Sequence, residues 1–147
     1  MKYFPAVAKF LFSLSCLLGS VSLLADVNSV FISSRLDPNA IIITEVDVVF
    51  VYDQGLIDSF PQTKTQWYSG KRRFTQEAGD RVDIVSIFIP QGFDSTMANL
   101  PDRRSDALKV YVFGQHDDSS VAPIDVTNFG NVLVEIDQFG IVVSSRD

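Results

Sequence analysis

The chain has 147 residues, 46% of them hydrophobic and 20% charged, which suits one packed core and is too apolar for a disordered chain. Its formal charge is −6, and both basic residues of the first 25 positions, Lys2 and Lys9, stand where no acid does, so the remainder carries ten Lys and Arg against eighteen Asp and Glu, a charge of −8. That balance argues against a nucleic-acid partner, because phosphate contact needs a basic face.

Chain order begins with a basic stretch, Met1 to Lys9, followed by fifteen uncharged residues, Phe10 to Leu24. This reads as an export signal. It is shorter than the ~20 apolar residues that a bilayer-crossing helix needs. Residues 1–25 are therefore assigned to the signal and 26–147 to a single domain. The cleavage position has three readings. Ala25 suits the residue before a cut, but Leu23 is large for its position. Ser20-Val21-Ser22 offers a small-x-small alternative. Cys16 after Ser15 is a third candidate, as the lipid-bearing cysteine of an exported lipoprotein, although Ser13 and Leu14 depart from that pattern. Cys16 is the only cysteine, so the domain has no disulfide whatever its redox compartment.

Strand signals dominate from residue 26 onward. Val27 to Ser34 reads as a first strand, closed by Asp37-Pro38-Asn39, where proline cannot continue a ladder. Ile43 to Tyr52 is apolar on both faces and reads as a central strand covered on two sides. Ser59 to Ala78 departs from this pattern. Phe60, Trp67, Tyr68 and Phe74 fit one helical face only in part, and Gly70 interrupts it, so a short helix or ordered loop is expected across the sandwich. Val82 to Ile89 and Ala107 to Gly114 are further strands. Val121 to Val126 adds a short edge strand, and Val132 to Ser144 a terminal hairpin. The expected architecture is a mainly β, two-layer antiparallel sandwich with a short helical excursion between strands.

Few residues offer chemistry. Gln115-His116-Asp117-Asp118 holds the single histidine, and no second histidine or domain cysteine completes a zinc site, so no metal is expected. No serine occupies a Gly-x-Ser-x-Gly elbow, no phosphate loop or dinucleotide fingerprint is present, and nothing selects a carboxylate pair. The reading is a non-enzyme without cofactors. Lys71-Arg72-Arg73 and Arg103-Arg104 read as solvated basic runs. A competing hypothesis is a periplasmic or secreted ligand-binding sandwich whose Trp67, Tyr68 and Phe74 rings stack on a sugar or peptide. Hydrolysis through His116 is a third.

In this order the segments resemble the TssJ-like outer-membrane lipoproteins of bacterial type VI secretion systems. The likeness lies in Ile32-Ser33-Ser34-Arg35-Leu36-Asp37-Pro38-Asn39-Ala40, then Val46-Asp47-Val48-Val49-Phe50-Val51-Tyr52. It continues through the aromatic excursion Phe60 to Phe74, Ile84 to Gly92, Val110 to Asp118, and Val132 to Val143. The resemblance implies a cell-envelope assembly subunit that is exported to the periplasm and tethered to the outer membrane through an acylated cysteine, here Cys16. It would dock the periplasmic domain of an inner-membrane secretion subunit. The partner surface is expected first at Asp37, Pro38 and Asn39, and second at Arg103 and Arg104.

Overall fold

The computed structural model describes residues 23–146. Cys16 and most of the expected export signal lie outside the described residues. Among the described residues, eight strands form two four-stranded sheets. β1 (Ser29–Ser34), β4 (Ser95–Met97), β7 (Asn131–Ile136) and β8 (Ile141–Ser145) make the first, in the order β4-β1-β7-β8. β2 (Thr44–Val51), β3 (Val82–Ile89), β5 (Lys109–Gly114) and β6 (Ile124–Asp125) make the second, in the order β3-β2-β5-β6. The expected sandwich is present. Its pairings are antiparallel except that of β1 with β7, which is parallel from Ser29↔Asn131 to Ser34↔Ile136. β4, three residues long, had no counterpart among the expected strands. It is too short to show an alternating pattern.

The period-two alternation of β1 and β7 turns Val30, Ile32, Val132, Val134 and Ile136 inward. They meet Val46, Val48, Phe50, Ile89, Val110 and Val112 of the second sheet. β2 buries its other face as well, because a helical segment covers Val49 and Val51. This is why the register facing the helices carries Val49 and Val51 as well as Glu45 and Asp47.

The helical segment is two helices, α1 (Gln54–Asp58) and α2 (Lys64–Ala78). Asp53 caps α1 by accepting from the Leu56 amide at 3.1 Å. Thr63 caps α2 by accepting from the Gln66 amide at 3.2 Å, while Gln66 reaches back to the Gln62 amide at 2.9 Å. α2 runs unbroken through Gly70, contrary to the expected interruption. Its inward residues Trp67, Lys71, Phe74 and Ala78 follow the i, i+4, i+7, i+11 spacing of one helical face. That face was obscured in the sequence because Lys71 begins a basic run and reads as solvent-facing.

Lys71 turns toward the sheet because β2 carries an acid there. Asp47 is fully buried. Its carboxylate accepts from Trp67 Nε1 at 2.8 Å, from Lys71 Nζ at 3.0 Å and from Ser86 Oγ at 2.6 Å. Lys71 also reaches Glu45 at 2.8 Å. Around this centre Trp67 stacks on Phe113 at 5.0 Å, and Phe60 stacks on Tyr111 at 4.3 Å.

Two substitutions test this layer by urea denaturation. Gly70→Ala should stabilise by about 0.5–1 kcal/mol, since a Cβ there meets nothing within 4 Å and the residue is interior to a helix. Asp47→Ala should cost about 3 kcal/mol or more, because it leaves the Lys71 ammonium and the Trp67 N–H without their shared acceptor.

Candidate functional site

Strand directions divide the sandwich into two ends. β1, β7 and β5 finish at one end, from which the connections 35–43, 90–94, 115–123 and 137–140 project. The chain enters at the other, where the Ala25 amide donates to the Ala107 carbonyl at 2.7 Å. The eight residues of β2 separate the two ends by roughly 25 Å.

Asp37, Pro38 and Asn39 lie on the loop end and are exposed. Their conformation is set locally: Asp37 Oδ1 accepts from the Asn39 amide at 2.8 Å, and the Asp37 carbonyl accepts from the Ala40 amide at 2.8 Å. The base of the loop is tied to β7 by Arg35, which donates to Glu135 at 2.6 Å. Beside the loop, a hollow of ≈ 270 Å³ is bordered by Leu36, Asp37, Ala40 and the β7–β8 turn with Phe139. Ile41 and Phe139 are 83% and 78% exposed. These two apolar residues were absent from the expected site, although an isoleucine after Asn39-Ala40 and a phenylalanine within Asp137-Gln138-Phe139-Gly140 are unusual for solvated turns.

His116 bridges this end. Its Nε2 donates to the Asp137 carbonyl at 3.0 Å and its Nδ1 lies 3.1 Å from Thr44 Oγ1, so the imidazole ties the two sheets together. Asp117 continues the tie by accepting from the Ile141 amide at 2.9 Å. Burial pushes the Asp117 carboxyl above its ordinary range. Residue 140 must be glycine, because an added Cβ would stand 1.7 Å from Asp117 Oδ1. Both ring nitrogens are thus engaged, one beside a threonine hydroxyl and one on a backbone carbonyl. Among the described residues, no group of three or more His, Cys, Asp or Glu could hold a metal ion.

Arg103 and Arg104 lie at the opposite end. Arg103 makes a two-pronged contact with Asp83, at 2.8 and 3.1 Å, and covers the Tyr52 ring at 4.0 Å. Arg104 donates to the Pro101 carbonyl at 3.3 Å. The structure does not bring this pair together with Asp37-Pro38-Asn39. Trp67, Tyr68 and Phe74 form no stacking platform. Trp67 has no exposed surface, and Tyr68 and Phe74 are half-buried against the same cluster under α2.

The Arg103 contact carries a pH dependence. Hydrogen bonding from Arg103, and secondarily from Tyr52, holds the Asp83 carboxyl below its ordinary range. Its contribution to stability is complete above the unfolded-state pKa and is lost as pH falls through the lower folded-state value. Arg103→Ala should therefore lower Tm at pH 7 and reduce the further loss below about pH 4, as measured by thermal melts across acid pH.

No protein-family model and no curated protein matches the chain. Among solved structures, it is similar to the type VI secretion lipoprotein TssJ1 from Pseudomonas aeruginosa, with 8% identity and a TM-score of 0.50 over 81% of this chain and 95% of that one. It is also similar to Serratia marcescens Lip, a membrane-bound component of the type VI secretion system, with 10% identity and a TM-score of 0.48 over 81% and 96% of the two chains. The chain thus has a TssJ-like fold, a two-sheet sandwich shared with a type VI secretion lipoprotein at 8% identity.

Proposed function

We propose that this protein is a non-catalytic assembly subunit of a secretion apparatus in the bacterial cell envelope. In this reading it is exported, held at the outer membrane by its N-terminal end, and docks a periplasmic segment of an inner-membrane partner. The observation that carries the proposal is the TssJ-like fold, whose chain entry and projecting loops lie at opposite ends.

A domain tethered where its chain enters turns its loops away from the supporting membrane. Acylation of Cys16 would supply the tether, since two acyl chains anchor stably where one does not. Fully extended, the stretch from Cys16 to Ala25 reaches at most roughly 30 Å. No described helix is long and apolar enough to cross a membrane. The docking surface is the 35–43 loop with Asp37, Pro38 and Asn39. Exposed Ile41 and Phe139 beside it offer an apolar centre within a polar rim, the composition of protein-binding surfaces. Arg103 and Arg104 form a second surface at the tethered end. Arg103 is held by Asp83 and Tyr52 there.

A photo-crosslinking residue placed at Asn39, Arg104 or the outward Arg73 in cells producing the full secretion apparatus tests this assignment. Asn39 should capture an inner-membrane protein through its periplasmic domain, and Arg73 should not. Capture from none of the three would remove the docking role. Asn39→Arg should weaken co-purification about tenfold, or 1.4 kcal/mol, without altering Tm.

A further inference from the structure

The domain is packed further toward its N-terminus than the export-signal boundary at residue 25 implies. Ala25 and Val27 are 7% and 2% exposed and belong to the core between the sheets. The segment is fastened at three successive points. The amides of Ala25, Asp26 and Asn28 donate to the carbonyls of Ala107, Thr127 and Gly130 at 2.7, 2.9 and 2.8 Å. Immediately before it the character changes, with Leu23 and Leu24 78% and 50% exposed. The packed domain therefore begins at Ala25.

A cut after Ala25 would remove a core residue and leave the Ala107 carbonyl without its donor. Such a cut also places Leu23 at a position where signal processing prefers a small residue. The Ser22–Leu23 bond meets both demands. Ser20 and Ser22 supply the small side chains, and the core residues Ala25 and Val27 are kept. We propose that Ala25 is part of the mature domain and that the signal is removed at the Ser22–Leu23 bond or upstream of it at Cys16.

At Ser22–Leu23 the step is peptide hydrolysis. Water supplies the oxygen of the new Ser22 carboxylate, and Leu23 leaves with a free amine. At Cys16, the sulfur first displaces the headgroup of a phospholipid to form a diacylglyceryl thioether, its proton passing to that headgroup. Hydrolysis of the Ser15–Cys16 bond follows. Either route retains Ala25. The inference stands on packing and on the small-residue preference of signal processing, and is independent of the docking role.

Intact-mass measurement and N-terminal sequencing of the full chain, expressed in a Gram-negative host and recovered from its envelope, decide the matter. A terminus at Leu23, or at Cys16 with two or three acyl chains, supports the proposal and identifies the route. A terminus at Asp26 or beyond overturns it. As a second measurement, a chain beginning at Asp26 should melt about 3 °C or more below one beginning at Leu23. Equal melting temperatures would show that Ala25 contributes nothing to the fold and would overturn the inference independently.

Discussion

A carboxylate with no access to water sits in the most buried strand of this protein, and the outer layer of the fold is arranged to satisfy it. Asp47 occupies β2, which is covered by the opposite sheet on one face and by α2 on the other. An ionised group there is tolerated only with near-complete hydrogen bonding. Trp67, Lys71 and Ser86 supply it from a helix and a neighbouring strand. A buried pair of this kind adds little net stability compared with an apolar replacement, but it is costly to break from one side. Its structural consequence is positional, because Trp67 and Lys71, one turn apart, meet the carboxylate together only when α2 lies at one rotation and one height on the sheet.

With α2 fixed, the aromatic residues of the excursion become core. Phe60, Trp67, Phe74, Tyr111 and Phe113 pack in mutually stacked and edge-on pairs. The outer face of the second sheet is thereby covered around Val49, Val51 and Phe113, and the loops at the far end are left exposed. The contacts of His116 with Thr44 and Asp137 fasten the base of those loops to both sheets. Loops fastened at their base lose less entropy when they engage a partner.

The two ends of the sandwich differ in how their charged groups are used. At the end where the chain enters, Arg103 is engaged by Asp83, the Asp80 carbonyl and the Tyr52 ring. At the loop end, Asp37 satisfies the backbone of its own turn while Pro38 and Asn39 face outward. Two surfaces that look alike in the sequence, each a short polar cluster between strands, thus have different freedom to bind. A fold shared at 8% identity sets where such loops emerge and leaves their chemistry to the individual chain.

Much of the architecture was legible along the chain. Alternation placed β1, β5, β7 and β8, two-sided apolarity marked β2 as central, and prolines marked the loops, because these signals arise from neighbours within a few residues. The rest depended on contacts distant in sequence. The parallel pairing of β1 with β7 joins residues about a hundred positions apart. Lys71 reads as solvent-facing until Asp47 draws it inward, and Gly70 reads as a break until the sheet supports the helix through it. His116 carries no local mark of its role as a tie between sheets. The same division applies to the opening segment: composition marked residues 10–24 as the apolar part of an expected export signal over 1–25, but only packing against Ala107, Thr127 and Gly130 showed that Ala25 already belongs to the folded domain.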